Sequence, residues 1–184
     1  MSIFNTPRLT IKTLDSKDKN SFFELLSDPE VITLVPQKPL SNYEMEQRFI
    51  VFSRPIDNPS HSDKCVWGIY EKDKTDLIGL CAILTNNEGD RELGYRFRTP
   101  YWNKGFGTET MQGLLEYCFN TLGLEKITAD VNIANRGSVR ILEKFLNLVD
   151  TFHNVKDDCT DSRYALTKNE WLMSRHKFQY YSKR

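Results

Sequence analysis

The stretch from Arg91 to Thr110 constrains the fold more than any other part of the chain. Its sequence is Arg-Glu-Leu-Gly-Tyr-Arg-Phe-Arg-Thr-Pro-Tyr-Trp-Asn-Lys-Gly-Phe-Gly-Thr-Glu-Thr, which predicts a strand, a turn with two glycines and the start of a helix. The first N–H groups of a helix have no partner inside the helix, and they lie at the positive end of its dipole. Such a turn therefore favours the binding of a phosphate or pyrophosphate group.

The turn itself contains two glycines and a lysine. Gly105 and Gly107 flank Phe106, Thr108 follows, and Lys104 adds a mobile positive charge. Glycine can adopt positive φ, and it lets a phosphate approach without a clash against Cβ. The spacing matches neither a P-loop nor a dinucleotide fingerprint, which needs a third glycine. Gly-x-Gly also occurs in turns that only connect a strand to a helix, so this structural interpretation stays open here.

A carboxylate stands on the strand that leads into the turn. Glu92 shares strand parity with Gly94 and Arg96, so its side chain could lie in a cleft and accept a proton directly or through water. Asp130 holds a similar position on the next predicted strand and is the second candidate base. The alternative is that Glu92 is a solvated strand charge paired with Arg91 or Arg96.

A second polar helix start follows the strand that ends at Val131. Asn135 is a natural N-cap, and Ser138 lies one turn into the helix near the same end. Taken alone, both residues could simply satisfy helix N–H groups. The chain, however, contains two successive strand–loop–helix units, and parallel packing would place both helix starts at one sheet edge.

Hydrophobic periodicity and capping patterns predict the remaining elements. Three consecutive strands, at 65–71, 77–84 and 90–97, are expected to form an antiparallel meander. Helices are predicted from Asp15 to about Asp28, from Ser41 to about Phe52, over 108–122 with Gly123 as the stop, over 135–146 and from Thr167, and further strands at 8–14, 127–131, 148–155 and 163–166. This order predicts one domain of mixed α/β (α+β) class over residues 1–184.

Composition excludes several classes of partner. The chain has 25 Lys and Arg against 25 Asp and Glu, so no net charge attracts nucleic acid or an anionic membrane. No apolar run approaches the roughly 20 residues of a spanning helix, and the N-terminus lacks a signal-peptide pattern, so a cytoplasmic location is expected. The four cysteines are widely spaced, with no Cys-x-x-Cys pair, and neither a metal site nor a disulfide framework is expected.

Four short segments, in a fixed order along the chain, carry a resemblance to a known family. They are Glu92-Leu-Gly-Tyr95, Pro100-Tyr-Trp-Asn-Lys-Gly-Phe-Gly-Thr-Glu109, Asn135-x-x-Ser138 and Glu143-Lys144. In this order they resemble the GNAT acyl-CoA N-acetyltransferases, and within that superfamily the branch of the ribosomal-protein-alanine and spermidine acetyltransferases. Thr6-Pro-Arg-Leu-Thr-Ile11 and Trp171 also fit that branch, so the resemblance covers nearly the whole chain.

The resemblance implies a mixed central sheet of about seven strands, splayed between two central strands and flanked by helices. Acetyl-CoA would lie in the gap as co-substrate, and no metal is implied. Glu92 would be the general base, and Ser138 would lie near the sulfur as proton donor or thiolate stabiliser. The positions implied to bind the cofactor are Tyr95, Arg96 and Phe97 along the pantetheine, Lys104, Gly105, Phe106, Gly107 and Thr108 at the pyrophosphate, Asn135 and Ser138 at the pantetheine arm, and Lys144 at the phosphates.

Two departures from the family pattern stand out. Trp102 occupies a position where many superfamily members carry Gln or Arg, although this branch often has Trp there. Phe145-Leu-Asn147 replaces the usual Leu-Gly-Phe after Glu-Lys, which predicts a differently shaped end for that helix.

The resemblance implies an N-acetyltransferase that acts on a protein N-terminus or on a small-molecule amine. The alternatives are a CoA-binding regulatory protein of the same fold with little catalysis, and a module that binds nucleotide phosphates without CoA. Acidic residues in the loops suit a cationic substrate or are only solvated charges; they are Glu30, Glu44, Glu46, Asp57, Asp157, Asp158 and Asp161. A homodimer is expected only because dimers are the commonest closed assembly.

Overall fold

The computed structural model describes residues 2–35 and 37–178. Eight strands within these ranges form one open sheet: β1 (Ser2–Asn5), β2 (Leu9–Lys12), β3 (Lys64–Glu71), β4 (Leu77–Thr85), β5 (Arg91–Phe97), β6 (Lys126–Asn132), β7 (Asn147–Asn154) and β8 (Cys159–Thr167). Their order across the sheet is β1-β2-β3-β4-β5-β6-β8-β7. All neighbouring strands are antiparallel except β5 and β6, which are parallel. The predicted class and the meander β3–β4–β5 are therefore confirmed.

Six α-helices accompany the sheet in the described residues. They are α1 (Lys19–Ser27), α2 (Pro29–Leu34), α3 (Asn42–Phe52), α4 (Phe106–Glu116), α5 (Arg136–Phe145) and α6 (Lys168–Phe178). The capping boxes predicted at Ser41 and Thr167 are both formed: Glu44 donates its N–H to Ser41 Oγ, and Glu170 donates its N–H to Thr167 Oγ1. In this part of the chain, no helix is both long and apolar enough to cross a membrane.

Two elements escaped the sequence prediction. β1 is the eighth strand, and its four residues are exposed or half-buried at the sheet edge, so they carry no buried-face alternation. The first helix ends at Ser27, as predicted near Asp28. Pro29 then opens the short helix α2 instead of a loop, because proline is tolerated in the first helical turn, and the Asp28 carboxylate accepts the Glu30 N–H at 2.9 Å.

Two helix ends also differ from a regular continuation. The predicted helix 108–122 is α-helical only to Glu116 and continues as a π-helical turn over Tyr117–Thr121. Gly123 follows with φ of 68°, as its predicted role as a stop requires. At the end of α5, Leu146 is already extended and Asn147 begins β7, so the helix passes directly into a strand without a glycine cap. That this helix end differs in shape from the family pattern stays a prediction.

Apolar side chains form two clusters, one on each face of the sheet. The larger cluster packs α4, α5 and the Trp171 end of α6 against residues such as Leu93 and Phe97 of β5. The smaller cluster packs α1, α2 and α3 against β3 and β4, with Phe22 and Tyr70 fully buried. Because side chains alternate along a strand, β5 presents successive residues to these two layers.

The sheet is open between β5 and β6. β4 and β5 are paired over seven positions, and so are β6 and β8. In contrast, β5 and β6 share the single register pair Glu92–Thr128. The two strands therefore diverge beyond Glu92, which confirms the predicted splay between two central strands.

A buried polar contact ties the start of the α1 layer to the sheet. Asp18 is 3% exposed, and its Oδ2 accepts the Tyr70 hydroxyl at 2.5 Å and the Asp15 N–H at 2.8 Å. The second bond completes the capping box of a 3-10 turn at Ser16–Asp18, directly before α1. The Tyr70 hydroxyl is thus one of the donors that compensate a buried carboxylate.

We predict that Tyr70→Phe lowers the free energy of unfolding by about 1–3 kcal/mol, because a buried acceptor loses its donor. Urea denaturation followed by circular dichroism measures this. Tyr43→Phe is the control, since Tyr43 is 71% exposed and its substitution should leave the midpoint unchanged. Equal stability of Tyr70→Phe and the unmodified protein would contradict a supporting role for this hydrogen bond.

Candidate active site

A cavity of about 630 Å³ opens where β5 and β6 diverge. The candidate catalytic and cofactor-binding residues that line it are Glu92, Tyr95, Arg96, Asp130, Asn135 and Ser138, and two of the acidic loop residues, Asp157 and Asp161, line it as well. The six candidate residues come from β5, β6 and the start of α5. Phe97, the glycine turn and Lys144 lie outside this lining.

The glycine turn adjoins the cavity at the start of α4. Gly105 has φ of 79° and is the N-cap of α4, and no side chain caps the helix. The first-turn N–H groups of Phe106, Gly107 and Thr108 thus have no intrahelical partner. The predicted need for glycine at a left-handed position is confirmed at Gly105.

Gly107 lies where α4, α5 and β5 come into close contact. A Cβ at this position would lie 2.8 Å from Ile141 Cδ1 and 3.4 Å from Tyr95 Cε2. Gly107 therefore lets α4 pack closely against α5 and β5. Because Gly107 has no side chain, the turn lies directly against Tyr95 in the cavity wall. This packing role was not recognised from the sequence.

Arg8 covers the turn, and sequence reasoning missed its role. Glu109, in the first turn of α4, accepts hydrogen bonds from the Thr6 hydroxyl at 2.6 Å, the Arg8 N–H at 2.7 Å and Arg8 Nε at 2.6 Å. Arg8 Nη1 also donates to the Lys104 carbonyl at 3.0 Å, and its guanidinium lies 4.7 Å from the centre of the Phe106 ring. The only sequence signal was the Thr6-Pro-Arg segment, about 100 residues away from the turn.

Lys144 is distant from the other predicted residues of its helix. It lies in the last turn of α5, while Asn135 caps the first turn. At 1.5 Å per residue, the nine steps between them correspond to about 13 Å along the helix axis. The structure thus does not bring Lys144 together with the residues at the helix start.

Glu92 is a half-buried carboxylate, and no arginine among the described residues forms an ion pair with it. Its burial, together with the negative charges of Asp130 and Asp161, raises its pKa to about 7, although Arg163 partly offsets this. Arg91 donates to Ser62 O, Thr85 Oγ1 and Pro59 O, and Arg96 donates to Gln37 Oε1. Both arginines that the alternative interpretation pairs with Glu92 therefore have other partners.

Asp130 is held differently. Arg163 donates from Nε and Nη2 to the two carboxylate oxygens of Asp130, at 2.8 Å and 2.7 Å, and also forms an ion pair with Glu88. A two-point arginine contact stabilises the charged carboxylate and occupies its oxygens. Of the two candidate bases, Glu92 alone has no arginine bound to its carboxylate.

The start of α5 is fixed by Asn135. Asn135 Oδ1 accepts the Ser138 N–H at 3.1 Å, which confirms its predicted role as N-cap. Its Nδ2 donates to the Leu34 carbonyl at 3.3 Å, so the amide also tethers the end of α2. Both polar ends of Asn135 are thus engaged within the protein, and a ligand would have to share one of them.

The Tyr95 hydroxyl is buried beside Ser138. Burial raises the pKa of Tyr95 to about 12, and Ser138 is near enough to lower it in part. However, no hydrogen bond of normal length and angle reaches the Tyr95 hydroxyl oxygen. The two hydroxyl groups are therefore neighbours that are not bonded.

The edge of β5 that faces the gap has free backbone groups. The Arg98 N–H is bonded to Ile78 O on β4, and the antiparallel alternation directs the backbone of Leu93, Tyr95 and Phe97 away from β4. The Phe97 carbonyl already accepts the indole N–H of Trp102 at 2.8 Å. Trp102, one of the two departures from the family pattern, thus has a structural role. The backbone groups of Tyr95 are then the main ones on this edge of β5 that a ligand could reach.

Within the described residues, no group of three or more His, Cys, Asp or Glu side chains is placed to hold a metal ion. The four cysteines are free thiols. Burial raises the pKa of Cys118 to about 12, which makes it a poor nucleophile.

Comparison with known proteins agrees with this architecture. Residues 8–145 match the family described as the acetyltransferase (GNAT) domain. The uncharacterized N-acetyltransferase p20 from Bacillus licheniformis is 27% identical over 144 residues, which are 77% of this chain and 80% of that protein.

Two solved structures share the fold. A GNAT-family acetyltransferase from Bacillus anthracis has a TM-score of 0.77 at 22% identity, covering 90% of this chain and 98% of its own. The spermidine N-acetyltransferase from Vibrio cholerae, solved with CoA and spermine, has a TM-score of 0.72 at 20% identity and covers 89% and 98%. The fold of this chain is thus shared with these two acetyltransferases. The chain belongs to the GNAT acetyltransferase family.

We predict that Glu92→Gln stabilises the protein at high pH. The pKa of Glu92 in the folded protein, about 7, lies above the ordinary 4.5. Its contribution to stability is therefore fully present below pH 4.5 and is lost as pH rises through 7. Because glutamine does not titrate, the variant should gain up to about 3 kcal/mol relative to the unmodified protein between pH 4.5 and pH 8.5.

Urea unfolding at several pH values measures this difference. Glu116→Gln, at an exposed position of α4, is the control and should show a constant difference across the range. If the free energy of unfolding of Glu92→Gln differed from that of the unmodified protein by the same amount at every pH, the Glu92 carboxyl group would not be titrating near neutrality.

Proposed function

We propose that the protein transfers an acetyl group from acetyl-CoA to a primary amine, which attacks the thioester directly. The observation that carries this proposal is the cleft at the β5–β6 split, where Glu92 and Ser138 line one cavity. Glu92 there has a pKa of about 7, and a base is most effective when its pKa lies near the working pH.

The residues around the split suit the cofactor. First-turn N–H groups of Phe106, Gly107 and Thr108 would bind the pyrophosphate, with the αL Gly105 and the charge of Lys104 beside them. Arg8, although paired with Glu109, adds a second cation over this turn. Lys144, at the far end of α5, would serve only a phosphate that extends in that direction.

The pantetheine arm would lie along the open edge of β5. The backbone of Tyr95 and the N–H of Phe97 would pair with its amides, and the backbone of Arg96 lies between them. Asn135 and Ser138 would flank the arm from the start of α5. When acetyl-CoA is bound, its thioester supplies the acyl group and a thiolate leaving group.

Glu92 and Ser138 would handle the protons. An amine must be neutral to attack, which at pH 7 costs about 1.4 kcal/mol for an α-amine with pKa near 8 and about 4.6 kcal/mol for a lysine-like amine. Glu92 would accept the proton that the amine loses. Ser138 would donate a hydrogen bond or a proton to the departing sulfur.

Titration calorimetry with acetyl-CoA, CoA and ATP tests the cofactor assignment. We expect acetyl-CoA and CoA to bind at least tenfold more tightly than ATP, because the open β5 edge can pair with pantetheine amides that ATP lacks. Absence of CoA binding would remove the proposal. Binding of CoA without turnover of any amine would instead identify a regulatory protein of the same fold.

We predict that Glu92→Gln lowers kcat/KM by about 10²- to 10⁴-fold, the usual contribution of a positioned general base. In the unmodified enzyme kcat/KM should rise with pH through about 7 as Glu92 loses its proton, and this limb should be absent in the variant. The affinity for acetyl-CoA should change by less than about threefold. Steady-state release of CoA over pH 6–9, with Glu116→Gln as control, measures both. Full kcat/KM of Glu92→Gln across this range would exclude Glu92 as the base.

A further inference from the structure

Arg96 is a cation in the cleft that has no carboxylate partner. It lines the cavity, and its Nη1 donates to Gln37 Oε1 at 3.1 Å. In the part of the chain that the structure describes, no carboxylate lies within ion-pair distance of it. By accessible surface Arg96 is half-buried. A guanidinium that is partly removed from water without a counter-charge is costly to a protein, which points to an anion supplied from outside.

Other cations line the same end of the cavity. Arg48 from α3, Lys64 at the start of β3 and Lys156 before β8 are all part of its wall, and none of the three forms an ion pair among the described residues. Glu44, one turn before Arg48 on α3, is instead bound by the Ser41 N–H at 2.8 Å and hydroxyl at 2.7 Å. Among the described residues, these cations therefore have no carboxylate of the protein within ion-pair distance.

The floor between the two ends of the cleft is open. Glu92, Gly94 and Arg96 lie on the same face of β5, opposite Leu84, Ala82 and Leu80 of β4. A Cβ at Gly94 would meet no atom within 4 Å. Four strand residues correspond to about 13 Å between the Cα atoms of Glu92 and Arg96, a span that the long side chains of both residues shorten. A ligand lying over Gly94 would reach a carboxylate at one end and a guanidinium at the other.

We propose that the acceptor is a small primary amine that also carries a carboxylate or phosphate group, and that Arg96 and Arg48 bind this anionic group. The inference rests on the proposed acetyl transfer and names the substrate class of the same site. The amine lies at Glu92, and the acid group lies at the cationic end, past Gly94. Arg96 and Arg48 are specificity residues that touch the substrate away from the reacting atoms.

This assignment changes the expectation raised by the acidic loops. Glu46 is paired with Lys19 at 2.5 Å, Glu44 caps α3, and Glu30 lies in the first turn of α2. Glu44 and Glu46 thus have local partners. Asp157 and Asp161 line the same cavity as Arg96, and both accept hydrogen bonds from Asn154 Nδ2, at 3.2 Å and 2.7 Å. A polyamine bound by one nitrogen at Glu92 would place another positive charge beside Arg96, and like-charge contact is a common device for rejecting a ligand.

Matched acceptor pairs test the proposal. Glycine, β-alanine, glutamate and methionine are each compared with their carboxamides, phosphoethanolamine is compared with ethanolamine, and spermidine is the polyamine. The carboxamides have the lower amine pKa and are the intrinsically easier nucleophiles, so a preference for the acid must come from the protein. We expect kcat/KM for the best acid to exceed that of its neutral partner at least tenfold. The phosphate and carboxylate pairs show which anion is used.

A binding measurement makes the test independent of turnover. With CoA present, calorimetry compares each N-acetyl amino acid with its N-acetyl amide, and the acid should bind at least tenfold more tightly. Arg96→Met and Arg48→Met should each bring the acid-to-amide ratio close to one. Lys72→Met, in the exposed turn between β3 and β4, is the matched control and should keep the ratio of the unmodified protein.

The outcomes separate this inference from the proposed function. An acid-to-amide ratio at or below one in both measurements, or a preference that persists in Arg96→Met, would overturn the anionic acceptor while acetyl transfer stands. Efficient acetylation of spermidine in preference to every acid would likewise overturn the anionic acceptor and leave acetyl transfer standing. Failure to bind acetyl-CoA would overturn both, and that titration is made without any acceptor.

Discussion

The missing pairing between β5 and β6 is the constraint on which the rest of the structure depends. Strands of seven residues that pair at one position leave backbone groups without partners, and such groups must find them elsewhere. One is satisfied internally, since the Phe97 carbonyl accepts the Trp102 indole N–H. The others line a gap that the start of α5 also faces. An open cleft therefore follows directly from the interrupted ladder.

The electrostatics of the cleft depend on where charged side chains are buried and not on the overall composition of the chain. The chain has no net charge, yet Glu92 and Arg96 lie four residues apart on one face of β5, in a cavity lined by further carboxylates and cations. Arg163 neutralises Asp130 with two hydrogen bonds, which leaves Glu92 as the carboxyl group whose pKa rises to about 7. The same burial that makes Glu92 a suitable base leaves Arg96 with a charge that the protein does not compensate.

The glycine turn depends on the N-terminal segment of the chain. Glu109 would place a negative charge in the first turn of α4, near the proposed pyrophosphate site, but Arg8 and Thr6 occupy it with three short hydrogen bonds. Arg8 therefore both neutralises this carboxylate and adds a cation above the turn. The two glycines have separate tasks, because Gly105 supplies the left-handed backbone and Gly107 the close contact with α5.

Local sequence determined much of this protein: the meander β3–β4–β5, the helix starts at Ser41, Asn135 and Thr167, and the placement of Glu92 on the strand before the glycine turn. These features depend on residues within one or two turns of each other, so periodicity and capping chemistry reveal them. The edge strand β1, the Arg8–Glu109 contact across 101 residues and the capture of Asp130 by Arg163 were decided only by the tertiary structure. Spacing cannot show which distant charges will meet, and so it could not show that Arg96 would have no carboxylate partner.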